Sequence, residues 1–264
     1  MKYLYSREAK KENTIIKIGD IEIGNNSPVV IAGPCTITDK DKLLVLATEL
    51  KSIGVNILRG GAFKPRTSPY SFQGLEEEGL NYLIEVKKEL NIPIITEITS
   101  LDLIEKYIEN VDIIQVGSRN MHNYELLKAL GKTNKPILLK RGMSSTYEEW
   151  LLAAEYILKN GNPNVILCER GIRTFETSTR NTLDIQAIPF IKKTSHLPII
   201  IDPSHASGLD YMVKPLALAG IIAGADGLIV EVELNPSESI CDKNQIIDLN
   251  TMEDIVKNIK KLDS

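Results

Sequence analysis

No stretch of this chain is apolar for long enough to cross a membrane, and its amino terminus is too charged to serve as a secretory signal. Nor is there a basic excess. A formal net charge of −4 argues against nucleic acid as a partner. Cysteine is scarce: Cys35, Cys168 and Cys241 make an odd count at spacings that match no zinc finger. That excludes a disulfide scaffold and points to a reducing cytoplasm. The length of 264 residues, 43% of them hydrophobic, is that of one barrel-sized domain and leaves no room for a second.

What is present is a pattern repeated eight times. Apolar, β-branched runs occupy residues 29–32, 55–58, 92–96, 111–116, 136–139, 164–168, 197–201 and 227–230. They do not alternate with polar residues, as expected of parallel strands buried on both faces. Between and after them lie stretches with helical spacing, at 41–53, 77–90, 101–109, 123–130, 146–160, 181–194, 211–223 and 246–262. Ser100 stands as a helix start, and Ser145 precedes Thr146 with Glu148 at a capping-box offset. Gly131 and Gly161 stand as C-terminal stops. The expected architecture is α/β, a single (β/α)8 or TIM barrel over residues 27–264. Residues 1–26 form a short extension whose segments at 14–17 and 21–23, around Gly19 and Asp20, pair as a hairpin under the barrel floor.

Each apolar run ends on or just before a residue that handles charge: Cys35, Arg59, Glu97, Arg119, Lys140, Arg170, His205 and Glu231. In a parallel barrel these ends converge on one site. Arg59, Lys64, Arg66, Arg119, Lys140, Arg141, Arg170 and Arg173 make that mouth cationic, while Glu76–Glu78 and Glu148–Glu149 make the outer helices acidic. Arginine presents a fork of donors that matches phosphate and carboxylate, so small anionic substrates are implied. Cys35, His205, Glu231 and Asp242 together offer sulfur, nitrogen and oxygen donors suited to a divalent first-row ion such as Mn2+, Fe2+, Co2+ or Zn2+. Singly, each residue has a plainer reading, a packed cysteine or a hydrogen-bonded loop histidine.

The text around these residues carries more. VVIAGPC ending at Cys35, LRGGAFKPRTSPYSFQG from Leu58, QVGSRNM from Gln115, LLKRGMS from Leu138, CERGIRTFE from Cys168 and IDPSHASG from Ile201 together resemble the type I 3-deoxy-D-arabino-heptulosonate-7-phosphate synthases. The match is to the short subclass related to the 3-deoxy-D-manno-octulosonate-8-phosphate synthases, from about Thr14 onward. The resemblance implies that Cys35, His205, Glu231 and Asp242 bind the metal. It implies that Arg59, Lys64, Lys140 and Arg170, with Gly117, Ser118 and Arg119, hold phosphoenolpyruvate. Lys64, Pro65, Arg66 and Thr67 would contact erythrose 4-phosphate. Lys64, Lys140 and His205 would be catalytic, with Glu97 a further candidate to move protons. A homo-oligomer, dimer or tetramer, and a separate chorismate mutase partner are also implied.

Two positions depart from the family pattern. Glu233 stands where histidine is common, and His122 replaces a glutamine. Competing readings are the octulosonate synthase, disfavoured by the Lys64-Pro65-Arg66-Thr67 loop, a Schiff-base aldolase using Lys140, and a catalytically silent partner subunit. Cys168 is expected to pack inside its strand. Cys241 is read as an incidental loop residue, although sharing one metal between Asp242 and Cys35 would bring the two sulfurs close. With no regulatory domain in view, activity is expected to be insensitive to tyrosine and phenylalanine unless a partner protein supplies the control.

Overall fold

The computed structural model describes residues 2–65 and 68–263. Strands β1 (Ile16–Ile18) and β2 (Ile21–Ile23) form an antiparallel hairpin. Eight parallel strands then close a barrel: β3 (Val29–Gly33), β4 (Ile57–Arg59), β5 (Ile94–Glu97), β6 (Ile113–Val116), β7 (Ile137–Lys140), β8 (Val165–Glu169), β9 (Ile199–Ile201) and β10 (Gly227–Glu231). They pair in sequence order, and β10 closes on β3 with Glu231 opposite Gly33. Outside lie α1 (Lys40–Ile53), α2 (Glu76–Leu90), α3 (Ile104–Asn110), α4 (Tyr124–Gly131), α5 (Tyr147–Lys159), α6 (Ala187–Thr194), α8 (Asp210–Ile222) and α9 (Leu249–Asp263), while the short α7 (Pro203–Ser207) follows β9 at the barrel top.

Side chains alternate across each strand, and here the two faces enter different cores. Val30, Ala32, Leu58, Ile94, Ile114, Leu139, Leu167 and Val230 pack outward with the helices. Val29, Ile31, Ile57, Ile95, Ile113, Leu138, Ile166, Cys168, Ile200 and Ile229 fill the interior. Ile16, Ile18 and Ile23 of the hairpin join that inner cluster, so the hairpin plugs the floor as expected. At the floor, backbone N–H groups of several strands find side-chain acceptors beside the neighbouring strand. Val30 donates to Asn56 at 2.8 Å, Ile94 to Asp112 at 2.8 Å and Ile199 to Asp226 at 2.9 Å.

Several boundaries differ from the sequence reading. The sixth outer helix begins at Ala187, not 181, because Pro189 has no N–H to continue a longer helix and fits only in a first turn. Residues 181–186 are instead tied across the barrel top: Asn181 N–H donates to the Ala206 carbonyl at 2.8 Å, and Thr182 exchanges backbone bonds with Ile172. The capping box is Thr146 with Glu149, one residue beyond the Ser145 and Glu148 pair. Ser100 caps without a side-chain hydrogen bond, and Gly131 is the last residue of its helix. Ile246 and Ile247 precede α9, with Ile247 bridging to Val232. The short α7 was not foreseen. Pro203 starts it, and Asp202 caps it by accepting from the His205 N–H at 2.9 Å.

Trp150, the only tryptophan, is fully buried between α5 and β7 and donates its indole N–H to the Leu139 carbonyl at 3.1 Å. Trp150→Ala opens a cavity and removes that hydrogen bond, so a loss of about 3–5 kcal/mol is expected in urea unfolding followed by circular dichroism.

Candidate functional site

The strand alternation that buries isoleucine at the floor delivers polar groups at the top. Two residues above Ile57, Ile95, Ile113, Leu138, Ile200 and Ile229, on the same inward face, stand Arg59, Glu97, Gln115, Lys140, Asp202 and Glu231. Arg170 follows Cys168 in the same way. Above this layer opens a cavity of about 320 Å3 lined by Lys64, Pro65, Glu97, Gly117, Ser118, Arg119, Lys140, Arg170, Arg180, His205 and Asp242, among others. Gly117 is there because Glu97 lies across it: a Cβ would fall 2.0 Å from a carboxylate oxygen.

The buried charges are paired. Lys140 meets Asp202 Oδ2 at 2.6 Å, and Arg59 Nη2 approaches Glu231 Oε1 at 3.1 Å. His205 sits between the two carboxylates, with Nδ1 2.8 Å from Asp202 Oδ2 and Nε2 3.4 Å from Glu231 Oε1. The first contact is close but poorly aligned for a hydrogen bond. Burial alone would raise both acids, yet His205 and Lys140 hold Asp202 well below the carboxylate range. His205, Arg59 and Lys64 do the same for Glu231. Burial draws the His205 imidazole down against the opposing pull of those carboxylates.

Beside this layer, ligand atoms of Cys35, Glu231 and Asp242 all lie within 4.8 Å of one another. His205 reaches the group through Glu231. Lys64 Nζ donates to the Cys35 carbonyl at 2.9 Å and contacts its sulfur at 3.1 Å, and Sγ lies 3.6 Å from Asp242 Oδ2. The thiol is pushed well above its usual range, first by a hydrogen bond with Cys241, then by burial and Glu231. Cys241 is therefore not incidental: it is buried against Cys35, and no disulfide joins the two. Glu231 Oε1 is buried without an aligned hydrogen bond among the described residues. An acceptor left over beside sulfur and a second carboxylate fits a divalent cation of the softer kind.

Not every expected residue faces the cavity. Arg66 and Thr67 lie outside the described residues. Arg173 is exposed and does not line the cavity, and Arg141 turns the other way. Since Lys140 points inward, its neighbour must point outward, and Arg141 is buried beneath the helices between Glu169 at 2.9 Å and Asp184 at 2.8 Å. Its guanidinium stacks on the Tyr147 ring. Cys168 is inside the barrel, as expected. Glu233, the departure from the family, is half-buried and pushed up to about 7 by burial and then by Glu231. Asp202, Arg180 and Gln245 were missed. The helix-capping position of Asp202, before a proline and two residues beyond the inward-facing Ile200, was the available signal.

Such a barrel, with cations around a small cavity and a sulfur–carboxylate cluster at its edge, is that of an enzyme for small anionic substrates. The chain belongs to the DAHP synthetase I family, whose sequence profile matches residues 8–264. It is 51% identical over 259 residues to a phospho-2-dehydro-3-deoxyheptonate aldolase of Thermotoga maritima, covering 98% of this chain and 77% of that one. The crystal structure of the phospho-2-dehydro-3-deoxyheptonate aldolase (DAHP synthase) of that organism superposes with a TM-score of 0.95 at 50% identity, covering 98% of this chain and 76% of that one. A 2-dehydro-3-deoxyphosphooctonate aldolase of Geobacter sulfurreducens is 30% identical over 270 residues, with 94% and 97% covered. No helix among the described residues is long and apolar enough to cross a membrane.

Asp202→Asn leaves Lys140 buried without its counter-charge and should cost about 3–5 kcal/mol at neutral pH. Because the Asp202 carboxyl is held below its ordinary 3.8, its stabilisation is present above that value and lost as pH falls through the folded-state value. The gap between parent and variant in urea titrations should therefore narrow below about pH 4. A gap independent of pH would refute the assignment.

Proposed function

We propose that this chain condenses phosphoenolpyruvate with D-erythrose 4-phosphate and water to give 3-deoxy-D-arabino-heptulosonate 7-phosphate and phosphate, with the residues of the cavity in the roles that follow. The observation that carries the roles is the unpaired donor: Nη1 of Arg170, which lines the cavity, and Nη1 of Arg59 are buried without a hydrogen-bond partner among the described residues. Buried guanidinium N–H groups left bare cost free energy unless an anion completes them. Arg59, Lys140, Arg170 and Arg119, with Gly117 and Ser118, hold phosphoenolpyruvate. Lys64 and Pro65 face the aldose phosphate, a substrate to which the resemblance also assigns Arg66 and Thr67.

An enol phosphate is a weak carbon nucleophile, so rate depends on holding it against the aldehyde in a fixed orientation. Cations that remain in place as charge develops also stabilise the transition state. Cys35, His205, Glu231 and Asp242 hold a divalent first-row metal, which supplies Lewis-acid polarisation of a carbonyl. A new carbon–carbon bond forms, water adds at the former enol carbon, and phosphate leaves by carbon–oxygen cleavage. Lys64, Lys140, His205 and Glu97 are placed to hold or move the protons this requires. Asp202 orients two of them.

The higher identity to the heptonate aldolase than to the octonate aldolase favours the four-carbon aldose over arabinose 5-phosphate. A Schiff-base role for Lys140 is disfavoured by its ion pair with Asp202, in place of the apolar pocket or second cation that activates such lysines. A silent subunit is disfavoured because every proposed ligand is present. The homo-oligomer, the chorismate mutase partner and the cytoplasmic setting rest on the resemblance and composition. Light scattering of the purified chain, alone and mixed with that enzyme, measures the first two.

Product identification with each aldose phosphate in turn tests the reaction, and a preference for arabinose 5-phosphate would overturn it. Arg66→Ala should raise KM for erythrose 4-phosphate far more than for phosphoenolpyruvate, and Arg170→Ala should do the reverse.

Chelation should abolish turnover and Mn2+ restore it, while Cys35→Ser should lose most activity with the fold intact. The Cys35 thiol is raised, so it is protonated in the metal-free protein near neutrality, and binding through sulfur must expel that proton. Apparent metal affinity should therefore climb about tenfold per pH unit between roughly pH 6 and 8. A flat profile would remove Cys35 from the ligand set.

A further inference from the structure

Gln245 is a buried amide in a short turn, Lys243–Gln245, that follows β10 and begins at Asp242. Its neighbours Cys241 and Ile246 belong to a small apolar cluster with Cys35, where an apolar side chain would serve packing as well. The amide instead makes two bonds to charged groups. Nε2 donates to Glu231 Oε2 at 2.6 Å, and Oε1 accepts from Arg180 Nη1 at 2.9 Å. The orientation is fixed by chemistry: reversing the amide would set oxygen against a carboxylate and N–H against a guanidinium. Glu231 thus has one oxygen tethered by the amide, while the other, Oε1, lies 3.1 Å from Arg59 Nη2 and 3.4 Å from His205 Nε2, and the carboxylate shares a group with Cys35 and Asp242. Arg180, drawn from the loop between β8 and α6, lines the same cavity as Lys64 and Arg119 and lies 3.5 Å from Asp242.

We propose that Gln245 is a positioning residue with two arms, one setting the Glu231 carboxylate for the metal and the other setting the Arg180 guanidinium for an anionic substrate. The inference rests on the metal reading above. A carboxylate held by a donor on its far oxygen keeps one geometry, whereas an untethered one must be ordered each time an ion binds. Arg180 adds to the cavity a cation that the strand ends do not supply. Removing the amide loosens both arms, whereas removing Arg180 leaves the tether on Glu231 in place and takes a cation away from Asp242.

The test is Mn2+ titration of the metal-free protein without substrate, read by electron paramagnetic resonance of the free ion. Gln245→Met keeps the length and loses both hydrogen bonds, and should weaken Mn2+ binding about 10- to 100-fold. Arg180→Met should bind Mn2+ no more weakly than the parent, because the tether on Glu231 remains. It should raise KM for a phosphorylated substrate by about tenfold or more. Should circular dichroism show Gln245→Met misfolded, Gln245→Ala is measured in its place with the same expectation. A Gln245 variant binding Mn2+ within twofold of the parent overturns the proposal. An Arg180→Met protein with both KM values unchanged overturns its second arm. A parent that binds no Mn2+ would instead refute the metal reading, a separate failure.

Discussion

Two carboxylates with no solvent exposure, Asp202 and Glu231, set the terms for everything above the barrel floor. An isolated buried charge costs several kcal/mol, so each must be met by cations close at hand. Lys140 meets Asp202 and Arg59 meets Glu231, with the His205 imidazole held between the two acids. These are also the groups proposed for chemistry. The charge balance that makes the interior tolerable thus fixes the lysine, the imidazole and the guanidinium in place before any substrate arrives. That is the preorganisation an electrostatic site requires.

The balance is incomplete by design of the geometry. Among the described residues Arg59 and Arg170 each keep a buried N–H without a hydrogen-bond partner, and Glu231 keeps an acceptor without an aligned one. Lys64, Arg119 and Arg180 line the cavity with Arg170. An acid cluster with an unfilled acceptor and a cation cluster with unfilled donors call for ligands of opposite sign, a metal and an anion, side by side. Either alone would leave the other face unsatisfied.

Much of this was legible in the sequence. Eight unalternating apolar runs gave the closed barrel, and the residue types at their ends gave a cationic mouth with a mixed-donor cluster. What escaped was local. Arg141 was grouped with Lys140 because both end the same run, yet adjacent strand residues face opposite ways, and Arg141 serves the helix side with Glu169 and Asp184. The helix expected from 181 was cut short by Pro189, whose position in the first turn, not its presence, was the informative fact. Asp202 and Gln245 were passed over because their roles are relational: an acid between a lysine and a histidine, an amide between an acid and an arginine. Cys241 likewise gained its meaning only from Cys35.

The division between floor and mouth is a matter of two residues. On strand after strand the inward position changes from Ile or Leu to a charged or polar group in a single step of alternation: Ile57 to Arg59, Leu138 to Lys140, Ile200 to Asp202, Ile229 to Glu231. Two residues of strand rise about 6.6 Å, so a dry core lies directly beneath an ionic layer. Such an interface tolerates no slip. Moving β7 by one residue would turn Lys140 into the helix layer and bring Leu139 opposite Asp202, stranding that charge. The floor caps from Asn56, Asp112 and Asp226, and the hairpin that seals the bottom, are therefore not separate from the chemistry. They hold the register on which the charged layer depends, and the charged layer in turn penalises every register but one.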